Sequence, residues 1–211
     1  IAYLPYSKHL HIFLAFPSSY YSDLSPRGEL QNIPYIQNEV KGMLGLQNDP
    51  NMEAPESFGA KDVHELSQQT ILQAFSCTEC GRCTAVCPAN ITGKILSPRK
   101  IVMDIRDRAE ELVRSNSFKV NEETHGIEIT DGSSLFDKIT KEELYACTTC
   151  NACVEACPVL INPLKPILEL RRYDILMNSG GPAEWLPMFN SLENNQAVWA
   201  MSENRTNWIN N

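Results

Sequence analysis

The stretch that decides the fold of this 211-residue chain is Cys77-Thr-Glu-Cys80-Gly-Arg-Cys83-Thr-Ala-Val-Cys87-Pro88. Seventy residues later the spacing C-x2-C-x2-C-x3-C-P is repeated by Cys147, Cys150, Cys153, Cys157 and Pro158. The two runs contain all eight cysteines of the chain. This spacing is typical of bacterial-type ligands of [4Fe–4S] clusters. Each run therefore predicts one tight turn that presents three thiolates to one cluster.

The fourth cysteine of such a run stands beside a proline and usually binds the cluster that the other run holds. We therefore predict two [4Fe–4S] clusters with crossed ligation. The first is bound by Cys77, Cys80, Cys83 and Cys157, and the second by Cys147, Cys150, Cys153 and Cys87. Folding is expected to require the clusters, because eight thiolates without metal would leave the core unfilled.

Three other uses of the cysteines are weaker. A cysteine at every third residue makes a poor disulfide framework. Structural zinc normally takes two C-x2-C pairs that a longer loop separates, not four cysteines in one short run. A single cluster with a decayed second site is disfavoured because neither run lacks a ligand.

Composition limits the partners. The net charge of −8 argues against nucleic acid, whose phosphates require clustered Lys and Arg. The hydrophobic content of 43% is that of an ordinary globular protein. Thiolates that bind iron need a reducing compartment, so the cluster domain is expected to face the cytoplasm.

Helices are predicted around each cysteine run, and the two halves look like an internal duplication. Apolar spacing predicts a helix over 65–75 that leads into Cys77. The sequence Thr140-x-x-Glu143 is a capping box for the helix that leads into Cys147. A polar excursion over 115–134 separates the halves, with a hairpin expected around its HGIEIT sequence.

A second helix is predicted after each run. Ser97-Pro98 starts one that ends near Arg114, and Asn162-Pro163 starts another that ends near Met177. The inward positions of the latter are expected to be Leu164, Ile167, Leu168 and Ile175. The 59 residues between Cys87 and Cys147 are far more than a small β-type ferredoxin has. The predicted class is mainly α, an α-helical dicluster ferredoxin with an extended N-terminal arm.

If Lys94 and Arg99 lie beside the first run, their charges would raise the reduction potential of its cluster.

Three regions are predicted. Residues 1–28 begin with an apolar, aromatic stretch that is too short to cross a bilayer. They are predicted to be the end of a membrane segment, with a buried arm of a soluble domain as the alternative. Residues 29–57 are polar with three prolines and predict a linker or a wrap, with little periodicity. Residues 58–211 form the cluster domain, to which a short helix over 183–192 belongs.

Residues 58–208 resemble the iron–sulfur subunits of the heterodisulfide reductase D type, which are related to the iron–sulfur subunit of anaerobic glycerol-3-phosphate dehydrogenase. The cysteine motifs, Leu170-Arg171-Arg172 and the tail around Trp199 and Trp208 carry the resemblance. It implies a preceding cytochrome b-like membrane domain or subunit as one partner. It implies a downstream cysteine-rich (CCG) reductase domain or subunit as the other.

The sequence Ser7-Lys8-His9-Leu10-His11 resembles the last haem-bearing helix of the nitrate reductase gamma-type cytochrome b proteins. On that resemblance His11 is a haem b ligand in the intact protein. This chain shows no second helix of that type, so the chain alone is not expected to hold a haem.

The sequence predicts a membrane-associated electron-transfer segment that relays electrons between a quinol or haem b side and a cysteine-rich reductase domain. No paired carboxylates, Ser/His/Asp set or glycine-rich phosphate loop indicates catalysis. Two alternatives stay open: a redox enzyme in which one cluster binds substrate, and a structural zinc scaffold.

Overall fold

The computed structural model describes residue 3 and residues 9–26, 29–120, 126–195, 197–199 and 209. In this part of the chain the α-helices are α1 (Leu10–Tyr20), α2 (Pro34–Met43), α3 (Gln68–Phe75), α4 (Arg82–Ala85), α5 (Pro88–Ile91), α6 (Pro98–Ser115), α7 (Lys141–Ala146), α8 (Ala152–Glu155), α9 (Leu164–Leu176) and α10 (Trp185–Asn195). The strands β1 (Phe118–Val120) and β2 (Ile127–Ile129) pair antiparallel, with Lys119 opposite Glu128. The mainly α class and the small hairpin between the halves are confirmed.

The internal duplication is visible in how the helices pack. In the first half α3 packs on α6, and in the second half the equivalent α7 packs on α9. The short helices inside the two cysteine runs, α4 and α8, pack against each other. The two halves therefore meet at their cysteine runs.

Two predicted helix starts are confirmed, those after Ser97 and Thr140, whereas the helix predicted to start at Pro163 begins one residue later, at Leu164. The Ser97 hydroxyl accepts a hydrogen bond from the Lys100 amide (3.4 Å), and Thr140 and Glu143 form a reciprocal capping box. The Asn162 carboxamide oxygen accepts from the amides of Leu164 (3.0 Å) and Lys165 (3.1 Å). These side chains satisfy N–H groups that the first turn of a helix leaves without partners.

One hydrophobic core takes side chains from both halves of the chain. Its fully buried side chains include Ile101, Ile105, Leu135, Ile139, Leu144, Ile167 and Leu170. On α9 the inward face was predicted partly wrongly, because Ile175 is exposed whereas Leu170 and Asp174 are buried. The buried stripe runs along positions 167, 170 and 174 because the Asp174 carboxylate is held by Lys141 (2.7 Å) and by the Tyr145 hydroxyl (2.9 Å).

Two helices differ from the sequence predictions. The helix before Cys77 begins at Gln68, because the Ser67 hydroxyl caps it and a separate 3₁₀ turn covers Val63–Glu65. The segment expected to be an extended linker contains α2, which Pro34 starts and none of whose residues is buried. Helix α1 contains Pro17 and ends at Tyr20.

A buried arginine on α6 joins three separate segments. The Arg108 side chain is 1% exposed and contacts both Asp62 (2.8 Å) and Asp131 (2.7 Å). It also donates to the carbonyl of Ser133 (2.9 Å). Hydrogen bonds from Arg108 and Ser133 lower the pKa of Asp131 to about 2. The segment before α3 and the loop after β2 are thus held to one helix by a single guanidinium group.

Replacing Arg108 by leucine is expected to lower the free energy of unfolding by about 3–5 kcal/mol, because Asp62 stays buried without its charge partner. Anaerobic denaturant unfolding measures the loss. The matched control is Arg114→Leu on the same helix, whose exposed pair with Glu110 contributes at most about 1 kcal/mol. Equal losses in the two variants would contradict the structural role of Arg108.

Candidate metal centres

The two cysteine turns share an unusual backbone. Glu79 and Thr149, each two residues after the first cysteine of its run, both have φ 55°, and Gly81 and Asn151 have φ 77° and 61°. Left-handed backbone at a non-glycine residue costs about 1–2 kcal/mol, and such residues cluster at functional sites. Here it turns the amides of Glu79 and Thr149 toward the sulfurs of Cys77 and Cys147, to which they donate hydrogen bonds.

The first run and the last cysteine of the second run line one indentation. The cysteines in its wall are Cys77, Cys80, Cys83 and Cys157. Pro158, Val159 and Ile161 complete much of the apolar wall. Four thiols from both halves of the chain therefore face one space.

The other four cysteines form a second group. Cys147 lies close enough to Cys87 and Cys150 for their charges to interact, and Cys153 interacts with all three. Cys153 also interacts with Cys83 of the first group. The two groups are therefore neighbours, and Cys87 lies with the cysteines of the other run.

A glutamine on α3 helps to bring Cys157 to the first run. The Gln73 carboxamide accepts from the Asn162 amide (3.1 Å) and donates to the carbonyl of Leu160 (3.5 Å), a residue with φ 58°. The amide of Ile161 in turn donates to the sulfur of Cys157 (3.3 Å). These bonds hold the backbone after Cys157 against the helix that leads into Cys77.

Burial and hydrogen bonds set the ionisation of the thiols. Burial raises the pKa of Cys77, Cys83 and Cys147, and it raises the pKa of Cys153 to about 12. The amide of Arg82 lowers the pKa of the exposed Cys80. Buried thiols keep their protons near neutral pH, so a metal that binds them must displace those protons.

The donor set fits [4Fe–4S] clusters. All eight cysteines are free thiols, so the structure contains no disulfide among them. Among the described residues, no three His, Cys, Asp or Glu side chains converge closely enough to hold a single metal ion. In a cubane cluster each thiolate binds a different iron, and amide hydrogen bonds to sulfur are a usual part of such a site.

Two arginines, Arg106 and Arg171, lie beside the cysteines, a position that the sequence did not predict for them. The positive charge of Arg106 favours the thiolate form of Cys77, and that of Arg171 favours the thiolate form of Cys147. Each is the eighth residue after the proline that starts its helix, Pro98 or Pro163, and this repeat was the available signal. Of the two cations that were singled out, Arg99 lines the first indentation, whereas Lys94 lines a different one with Lys141 and Tyr145.

His11 lies in the first turn of α1, partly buried. Within the described residues no helix is both long and apolar enough to cross a membrane. Haem ligation by His11 therefore stays a prediction. The tail residue Trp208, part of the resemblance in the sequence, lies outside the described residues.

Comparison with known families agrees with the cysteine geometry. A 4Fe-4S dicluster domain family matches residues 76–161, which contain both runs. Another family of the same description matches residues 42–92. Two four-iron clusters are therefore the cofactors that the family assignment supports.

Relatives among characterised proteins are iron–sulfur proteins or oxidoreductases by name. The probable iron-sulfur-binding oxidoreductase FadF of Bacillus subtilis is 28% identical over 99% of this chain and 31% of its own length. The EtfAB:quinone oxidoreductase of Syntrophomonas wolfei is 27% identical over 99% of this chain and 29% of its own. A probable membrane-anchored ferredoxin of Chromohalobacter salexigens is 31% identical over 72% of this chain and 23% of its own.

The resemblance to heterodisulfide reductases is confirmed. The D-type polypeptide of the dihydromethanophenazine:CoB–CoM heterodisulfide reductase of Methanosarcina mazei is 25% identical over 70% of this chain and 36% of its own length. The chain thus spans about a third or less of FadF, the quinone oxidoreductase and the ferredoxin. Residues 76–161, which contain all eight cysteines, match the 4Fe-4S dicluster domain family.

Proposed function

We propose that this chain is the two-cluster electron relay of a larger membrane-associated oxidoreductase. Its ligand sets are Cys77, Cys80, Cys83 and Cys157 for one cluster, and Cys147, Cys150, Cys153 and Cys87 for the other. The single observation that carries the proposal is the position of Cys157, which shares one indentation with the three leading cysteines of the opposite run.

The surroundings of the cysteines suit a relay. When bound, [4Fe–4S] clusters supply one-electron oxidation and reduction. Cys87 and Cys153 are buried, at 6% and 9% exposure, whereas Cys80 and Cys150 are exposed. The protein therefore excludes water where the two groups meet and opens one edge of each to a partner. Contact between Cys83 and the group around Cys153 supports a short path from one group to the other.

We propose two partners for this chain. One is a cytochrome b-like membrane domain or subunit that delivers or receives electrons through quinol or haem b, with His11 as a haem ligand in the intact protein. The other is a cysteine-rich reductase domain or subunit. The names of the quinone oxidoreductase and of the membrane-anchored ferredoxin support the membrane side, and the name of the heterodisulfide reductase relative supports the reductase side.

Helix α1 supports attachment to a membrane. One face packs on α3, while Phe13, Phe16 and Tyr20 are exposed at 57%, 76% and 82%. Aromatic side chains of this kind favour the membrane–water interface. We place the cluster domain on the cytoplasmic side, where thiols stay reduced.

Anaerobically prepared protein is expected to contain about eight irons and eight sulfides, because each [4Fe–4S] cluster contributes four of each. Iron, sulfide and zinc analysis measures the content, and EPR spectroscopy of the dithionite-reduced protein should show two interacting four-iron clusters. Zinc without sulfide, or iron for only one cluster, would overturn the proposal.

Crossed ligation makes a distinctive prediction for paired substitutions. Cys80→Ala with Cys157→Ala removes two ligands of the same cluster, so about four irons and one EPR signal should remain. The matched pair, Cys80→Ala with Cys87→Ala, removes one ligand from each cluster and should damage both.

Iron content and EPR spectra of the two double variants decide the ligand sets. If the Cys80/Cys87 variant retained one intact cluster and the Cys80/Cys157 variant retained none, each run would hold its own cluster and the crossed assignment would be wrong.

Loss of the exposed aromatic face should weaken binding to lipid. Phe16→Ser with Tyr20→Ser is expected to reduce the bound fraction several-fold in flotation with phosphatidylcholine vesicles, because apolar area leaves the interface. The control is Val113→Ser, an exposed apolar position on α6. Wild-type protein that stays unbound, or equal losses in both variants, would contradict membrane attachment through α1.

A further inference from the structure

We propose that Arg171 raises the reduction potential of the cluster held by Cys147, Cys150, Cys153 and Cys87. The inference rests on the proposed function, since it requires a cluster at this site. The Arg171 side chain contacts the backbone of the ligand residue Cys147, and its charge would act on the cluster from there.

The contacts of Arg171 place its charge against the second cysteine turn. Its guanidinium group donates to the carbonyl of Cys147 (Nη2–O 2.6 Å) and, from Nε, to the carbonyl of Leu144 (3.0 Å). The Tyr145 ring covers one face, with the guanidinium carbon 5.5 Å from the ring centroid. Among the described residues no carboxylate forms an ion pair with Arg171.

The equivalent arginine of the first half has a different environment. Arg106 acts on Cys77 as Arg171 acts on Cys147. Its guanidinium, however, contacts the carboxylates of Glu79 (2.8 Å) and Asp107 (3.1 Å). The positive charge beside the first run is therefore balanced locally.

In the second half, the positions equivalent to the two carboxylates that pair with Arg106 are not acidic. Thr149 occupies the position of Glu79, with the same φ of 55°, and Arg172 occupies the position of Asp107. Arg172 pairs with Glu169 (2.7 Å). Neither Glu79 nor Asp107, the two carboxylates that pair with Arg106, therefore has an acidic equivalent beside Arg171.

A positive charge without a carboxylate partner raises the reduction potential of a cluster beside it. Reduction adds one electron and one negative charge to the cluster, and a partly buried cation stabilises the reduced form more than exposed cations do. The exposed Arg82 and Arg99 near the first run are screened by solvent. Arg171 is therefore the arginine whose removal should shift a potential most.

Dithionite titration with redox mediators, followed by EPR spectroscopy, tests the role of Arg171. Arg171→Gln is expected to make the cluster of the Cys147 group about tenfold harder to reduce, a fall of about 59 mV for a one-electron couple, with the other cluster unchanged. Arg171→Lys keeps the charge and should restore most of the potential. The control Arg172→Gln, at a cation already paired with Glu169, should shift it less.

A second variant keeps Arg171 in place. Thr149→Glu grafts the first-half ion pair onto the second half, at a backbone conformation that already accepts glutamate at Glu79. It should lower the same potential while iron content stays at the wild-type value. Unchanged potentials in both Arg171→Gln and Thr149→Glu, or equal shifts in Arg171→Gln and Arg172→Gln, would overturn the inference. Wild-type protein without two clusters would instead overturn the proposed function.

Discussion

The structure depends on one constraint: sulfurs from distant parts of the sequence must face the same small space. Cys157 meets Cys77, Cys80 and Cys83 although about seventy residues separate the runs. Packing of α4 against α8 and the bonds of Gln73 to the chain after Cys157 bring this about. Burial raises the pKa of Cys77 and Cys83, so a metal that binds these thiols must displace their protons.

Much of the remaining structure supports the two turns. The long helix α6 buries Ile101 and Ile105 in the core and carries Arg108, which joins Asp62 and Asp131 to it. The capping box of Thr140 and Glu143 sets the start of the helix that leads into Cys147. Each cysteine turn is thus attached to helices whose ends and packing are defined by their own side chains.

The duplicated halves keep the backbone of the site and differ in its charges. Glu79 and Thr149 share a left-handed conformation, so the amide that faces the first sulfur of each run is preserved. The carboxylate of Glu79, in contrast, has no equivalent in the second half. Duplication of a fold thus leaves side-chain electrostatics free to distinguish two otherwise similar centres.

The sequence by itself determined the eight candidate ligands, the helical class and the capped helix starts, because local spacing and capping chemistry depend on neighbouring residues. Tertiary structure decided the rest. Ile175 lies outside and Leu170 inside because Asp174 is held by Lys141 and Tyr145, contacts that no helical period reveals. Likewise, the difference between Arg106 and Arg171 emerged only from their partners in space, since a charge is balanced by whatever lies within a few ångströms of it.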